Sequence, residues 1–158
     1  MYKPANIDYP TPPQVITTMC NRLEPAISNI HKTVFDAGCG TGGFLLEVLK
    51  RRLRTAQPSE PEVLYIASKL YGADIKPEYV SETRSQIKSC IQNFFTANFF
   101  HHYLFWPQLE NLLSQNIFVA DLTSDPAKIS VIEWEKHSDF FFSASRHTLK
   151  QLLDTAEK

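Results

Sequence analysis

The sequence predicts an α/β protein with a doubly wound, mostly parallel sheet covered by helices on both faces. Short apolar runs alternate with longer stretches of helical periodicity, the pattern of βαβ units around a buried parallel sheet. The chain has 158 residues, 43% of them hydrophobic and 21% charged, which suits one globular domain with its own core. No Pro/Gly/Ser-rich linker, internal repeat or low-complexity tract divides it. Residues 1–158 therefore read as a single domain, with an N-terminal segment and helix over 1–32 and a sheet core over 33–158.

The elements follow in order. Residues 1–10 are expected to be irregular, with Pro4 and Pro10. Thr11 is expected to cap the first helix, with Pro12 at its first position and Gln14 completing a T-x-x-Q box. Val15, Ile16, Met19 and Leu23 give that helix one apolar face, and Pro25 ends or kinks it. Thr33-Val34-Phe35 reads as a short buried strand. A helix from about Gly42 to Arg54 follows, with Leu45, Val48, Leu49 and Leu53 as its inner stripe. Lys50, Arg51, Arg52 and Arg54 at its end suit the negative pole of a helix; a nucleic-acid contact is the alternative. Ser59 and Glu62 form a second capping box, opening a helix to about Lys69. Leu70 to Ile75 is the next strand, and Pro77 opens the longest helix, with Val80, Thr83, Ile87, Cys90, Ile91 and Phe94 on one side. Pro107 starts a short helix and Asn116 to Leu122 a third strand. Phe140-Phe141-Phe142 is a fourth apolar run, read as a strand before a final helix around 149–153.

Composition excludes several classes. Sixteen basic residues against 17 acidic give a net charge of −1, which argues against a general polyanion binder while leaving room for a local basic patch. No apolar run approaches the ~18–20 residues of a membrane helix, and the N-terminus lacks a signal-peptide core. Cys20, Cys39 and Cys90 have no CxxC spacing, so neither a disulfide framework nor a zinc site is indicated. The expected setting is cytoplasmic, without membrane or metal.

In an open α/β sheet, ligands bind at the carboxyl ends of the strands. The first three predicted strands end in Asp36, Asp74 and Asp121. Asp36 opens the run Asp36-Ala37-Gly38-Cys39-Gly40-Thr41-Gly42-Gly43-Phe44, in which glycines 38, 40 and 43 satisfy G-x-G-x-x-G between a strand and a helix. Dinucleotide oxidoreductases share that pattern. A carboxylate two residues before the first glycine would repel a pyrophosphate and attract an ammonium group. All five glycines, the four in this turn and Gly72, fall at expected ligand contacts.

The run from Phe35 to Leu45 resembles the first motif of S-adenosylmethionine-dependent methyltransferases. Its Thr41-Gly42-Gly43-Phe44-Leu45 continuation is most similar to adenine-N6 DNA methylases of restriction–modification systems. Tyr9-Pro10-Thr11-Pro12-Pro13-Gln14-Val15 resembles the segment that those enzymes lay over the methionine end of the cofactor. The resemblance spans roughly residues 9–122 and implies the three-layer methyltransferase fold with S-adenosyl-L-methionine as cofactor. It implies that Asp36, the backbone at Ala37 and Gly38, and the rest of the turn including Gly40 and Phe44 hold the methionine moiety. Thr11 would bond the methionine carboxylate, Asp74 the ribose hydroxyls and Asp121 the adenine amine, with Ile75 and Leu122 on the two faces of the ring. The residues themselves leave second readings open: Thr11 as a helix cap, Asp74 as a cap for the helix at Pro77, and Asp121 as an Asx turn before Thr123.

Adenine-N6 methylases carry a second signature, (Asn/Asp/Ser)-Pro-Pro-aromatic, after the fourth strand, where it receives a flipped base. The corresponding stretch here is Asp139-Phe140-Phe141-Phe142-Ser143 followed by Ala144-Ser145-Arg146-His147, and no Asn-Pro-Pro-Tyr occurs. No catalytic residue is assigned. The resemblance leaves three readings: a methylase-like protein or subunit whose partner supplies DNA recognition, an inactive cofactor-binding or interaction module, or an enzyme that methylates a different acceptor, with Ser145 or His147 in an unassigned role. Residues 94–106 (FFTANFFHHYLFW) are read as a buried insertion, as a surface for a protein partner or self-association, or as a base-stacking platform. Adjacent His101 and His102 are expected to point apart, and Glu133, Trp134 and Glu135 have no assigned role.

Overall fold

The structure, a computed structural model, describes residues 9–96 and 99–156. Expectations for residues 1–8, and for Ala97 and Asn98 within the aromatic segment, lie outside the described residues. The order is α1 (Pro13–Arg22), β1 (Val34–Ala37), α2 (Gly43–Thr55), α3 (Glu60–Ser68), β2 (Leu70–Asp74), α4 (Pro77–Phe94), α5 (Phe105–Asn116) and β3 (Ile117–Val119). A 3-10 turn (Pro126–Lys128), β4 (Ser130–Lys136), β5 (Phe142–Thr148) and α6 (Leu149–Ala156) complete it. No helix among the described residues is long and apolar enough to cross a membrane.

β1, β2 and β3 form a parallel sheet in that order, with Phe35 beside Tyr71 and Ala73 beside Phe118. The order never reverses, so the described sheet is wound in one direction only. The fourth apolar run does not extend it. Phe142–Thr148 instead pairs antiparallel with Ser130–Lys136 in a separate hairpin. The physical reason is the alternation of Ile132 and Trp134 with Glu133 and Glu135, which suits a two-stranded ribbon buried on one face. Glu133, Trp134 and Glu135 thus lie on β4.

The two faces of the parallel sheet are covered differently. An added Cβ on Gly72 would meet the Leu45 side chain at 2.8 Å, so the Gly72 face packs directly on α2. The opposite face carries Phe35, Tyr71 and Phe118; the Tyr71 hydroxyl donates to the Ile132 carbonyl at 2.8 Å, and Phe35 and Phe118 pack with Ile129, Val131 and Leu149. The layer there is the hairpin with α6. Asn116 ties the core together: its amide donates to the Ala67 and Ser68 carbonyls and accepts from the Trp134 indole at 2.7 Å.

Among the described residues β1 pairs with β2 alone. Val34 and Gly38 donate their amides toward the β2 side, to Lys69 and Ala73. Alternation then turns the backbone groups of Phe35 and Ala37 to the open edge.

Four local expectations need correction. The first helix starts at Pro13, not Thr11, and no side chain caps it. Pro13 forces Pro12 into an extended conformation (ψ 144°), so the chain cannot become helical earlier. Its apolar stripe is not core: Cys20 is buried, whereas Val15, Met19 and Leu23 are exposed. The helix at Glu60 forms without a Ser59 side-chain cap. Finally, two of the four cations ending α2 are structural. Arg52 is 0% exposed and donates to the Ile27 and Lys32 carbonyls, both at 2.8 Å, and Arg51 bonds Glu24, Glu47 and Asn21. Burial away from any carboxylate lowers the Arg52 pKa to about 10.

Candidate functional site

A cleft of about 550 Å³ opens over the carboxyl ends of β1 and β2, within the size range of small-molecule sites. Its floor is the turn between β1 and α2. Gly38, Gly40 and Gly42 there have φ of +77°, +51° and +88°, a left-handed conformation that costs any other residue ~1–2 kcal/mol. A Cβ at Gly38 or Gly40 would meet nothing within 4 Å. Those two glycines therefore serve the shape of the turn and border open space.

The other three glycines are crowded, Gly42 in addition to its left-handed φ. A Cβ on Gly42 would lie 2.7 Å from Thr83 Cγ2, one on Gly43 2.8 Å from Ile16 Cδ1, and one on Gly72 3.1 Å from Cys39 Cβ. Thr83, on α4, also donates its hydroxyl to the Gly40 carbonyl at 2.9 Å. This buttress was missed in the sequence, where Thr83 is only one member of an apolar stripe.

Asp36 and Asp74 face the same cleft in different states. Asp74 is satisfied by backbone: Oδ2 accepts from Gly40 N at 3.0 Å and Oδ1 from Lys76 N at 2.9 Å. The second bond is the capping turn ahead of Pro77 that the sequence left open. Asp36 is half-buried, and no hydrogen bond reaches its carboxylate from the described residues. The nearby amides are already committed, Gly38 N and Cys39 N to the Ala73 carbonyl at 2.9 Å and Gly40 N to Asp74. Burial, reinforced by the Asp74 charge, raises the Asp36 pKa from 3.8 to about 6. Burial also pushes the neighbouring Cys39 thiol up to about 11, so Cys39 is no thiolate nucleophile.

The remaining expected residues divide. Thr11 and Phe44 line the cleft, together with Tyr9, Pro10, Ile16, Met19, Phe35 and Tyr79. The sequence reading missed Ile16, Met19, Phe35 and Tyr79 as lining; Ile16 and Met19 follow the Tyr9–Val15 segment, Phe35 opens the glycine motif, and Tyr79 lies five residues after Asp74. Ala37 is exposed at the strand end, and Ile75 is 62% exposed; neither lines the cleft. Asp121 and Leu122 are not brought into it. Asp121 Oδ1 accepts from Thr123 N at 2.9 Å and from the Thr123 hydroxyl at 2.6 Å, and these bonds lower its pKa. It borders a separate depression of about 350 Å³ beside Phe118 and Lys128. Leu122 packs against the Ile129–Val131–Leu149 cluster. β3 stops at Val119, and the chain after it folds back on itself.

In the aromatic segment Phe95 and Phe105 are buried, whereas Phe100 is 96% and Tyr103 79% exposed. His101 and His102 do point apart. The His101 ring bonds Glu60 at 2.7 Å and stacks on Phe105, while the His102 ring stacks on Phe140 with centroids 4.4 Å apart. Ser145 and His147 sit on the exposed face of the hairpin, the Ser145 hydroxyl 3.0 Å from His147 Nε2. Glu133 Oε2 reaches the same nitrogen at 3.4 Å. An acid–histidine–nucleophile relay needs the two partners on opposite ring nitrogens, so this trio is not one.

Comparison of the chain with protein-family models, with curated proteins and with solved structures found no match in any of the three.

Proposed function

We propose that the chain binds S-adenosyl-L-methionine in the cleft over β1 and β2. In this reading it is a methyltransferase domain of the adenine-N6 DNA methylase type, serving as a protein or subunit of a restriction–modification system. The observation that carries the reading is the Asp36 carboxylate: half-buried, unpaired among the described residues, and beside a second carboxylate. A cleft built this way gains most from a cationic ligand, and this cofactor bears an ammonium and a sulfonium against a single carboxylate. When bound, it supplies an already activated methyl group.

The chain's own residues would hold and orient it. Asp36 pairs with the ammonium. Gly38 and Gly40 let the ligand approach the backbone. The lone pairs that Asp74 retains accept from the ribose diol. Tyr9, Pro10 and Thr11 cover the open side and exclude water. Equilibrium dialysis tests the reading: labelled S-adenosylmethionine should be retained and displaced by S-adenosylhomocysteine, with NADH not retained. Retention of NADH, or of neither ligand, would contradict it.

One observation favours the second reading, a cofactor-binding module without activity of its own. The segment that corresponds to the target-base motif lies in the hairpin, and no residue of 130–148 lines the cleft. The open edge of β1, beside Asp36, offers a partner's strand a place to pair, as a split methylase would require. Methyl transfer to unmethylated DNA by the chain alone supports the enzyme; transfer only with an added partner supports the subunit; none in either case supports the module.

A further inference from the structure

A second cleft, of about 670 Å³, lies at the other end of α4 and includes Gln92, Asn93, Phe99, His101 and Trp106. We propose that it binds an unpaired nucleobase, presented by a free nucleotide or by a single strand. One wall is aromatic and held rigid. His101 meets Trp106 edge-on at 4.9 Å, lies tilted against Phe99 at 5.2 Å, and stacks on buried Phe105. Buried Glu60 fixes this wall, bonding the His101 ring at 2.7 Å and the His102 backbone amide at 3.0 Å. Preorganised rings of this kind stack on a base at little entropic cost.

The facing wall supplies the polar half. Gln92 and Asn93, adjacent on the last turn of α4, are exposed, and their side chains make no hydrogen bond to any described residue. Each presents a donor and an acceptor, the complement of a heterocycle's edge. A phenyl ring or an aliphatic chain would leave them unpaired. Lys88 lies 5.8 Å from the Trp106 ring and pairs with Glu110. Its charge is already answered, so the cleft selects a base and does not collect phosphates. Tyr79 borders the first cleft and Gln92 the second. Along one helix they are ~20 Å apart, so this base is not a methyl acceptor, and the site stands independently of the cofactor reading.

Trp106 provides the assay, because the only other tryptophan, Trp134, is buried with its indole N–H bonded to Asn116. The whole chain is titrated with AMP, CMP and a ten-nucleotide single strand; Trp106 lines the second cleft and not the first, so its emission reads this site alone. Saturable quenching is expected, weakened by about tenfold in Gln92→Ala/Asn93→Ala, the loss of one to two hydrogen bonds. Both positions are exposed, so the variant should fold. Trp106→Phe should abolish the signal while calorimetry still detects binding. Quenching by nucleotides alone assigns the free source, and tighter binding of the strand assigns nucleic acid. Absence of saturable quenching, equal quenching by duplex or heparin, or no effect of the double variant would overturn the proposal. So would emission that tracks only protein concentration, which would mark an interface between copies.

Discussion

The strand ends over β1 and β2 and the strand end after β3 carry the same residue type and treat it differently. Asp121 satisfies itself on the Thr123 amide and hydroxyl. Asp74 is satisfied by Gly40 and Lys76. Asp36 has no such partner among the described residues, because the amides that follow it already serve Ala73 and Asp74. An acid at a strand end stays unpaired when the next turn commits its N–H groups elsewhere. The left-handed glycines bring that about after β1, and an ordinary Asx turn prevents it after β3.

The turn after β1 is where substitution should act most strongly. Gly42→Val should have the largest effect, since its side chain combines φ +88° with a 2.7 Å approach to Thr83. A loss of about 3 kcal/mol is expected, seen as a melting temperature lower by roughly 6–12 °C. Unchanged melting would mean that the turn is not held against α4. Asp74→Ala comes next: it strips the acceptors of Gly40 N and Lys76 N, costing about 2 kcal/mol in denaturant titration, and weakens cofactor binding.

Asp36→Asn should act in the opposite direction. Its folded pKa of about 6 lies above the ordinary 3.8, so the native state holds the proton more tightly than the unfolded chain. Stability therefore falls as pH rises from about 4 to about 6 and levels off above that. The two-unit difference corresponds to ~3 kcal/mol, and solvent screening of this partly exposed group reduces it to about 1 kcal/mol. The Asn variant should melt higher than the wild type at pH 7 and equally at pH 3.5. A variant that is less stable at pH 7 would show that Asp36 has a structural partner. Asp121→Ala should have the smallest effect, with melting and cofactor titration both unchanged; a loss of cofactor affinity would restore Asp121 to the site.

Local chemistry made much of this legible in the sequence. Val34 and Phe35 before the glycine run, the Leu45–Val48–Leu49–Leu53 stripe and Pro77 at the head of α4 each decide their element within a few residues. Features set by distant partners were not legible. The Val15–Met19–Leu23 stripe has helical period yet faces solvent, because Cys20 and Ile16 are the α1 residues that turn inward. Arg52 reads as a surface cation until the Ile27 and Lys32 carbonyls surround it. The hairpin hides because β5 carries Ser143, Ser145 and His147, and only pairing with β4 makes that polar run a strand. In the site, Asp36 was legible from the glycines. The diversion of Asp121 was legible only as one of two readings.

The most direct test of the central claim is the calorimetric affinity for S-adenosylmethionine from pH 5 to 7.5, in the wild type and in Asp36→Asn. Because ammonium pairing needs the ionised carboxylate, wild-type affinity should fall as pH drops through about 6. The variant should bind ~10–100-fold more weakly at pH 7.5, the worth of one charge-assisted pair, with a flat profile. Equal affinities with no pH dependence in either protein, or no binding by the wild type, would contradict the account.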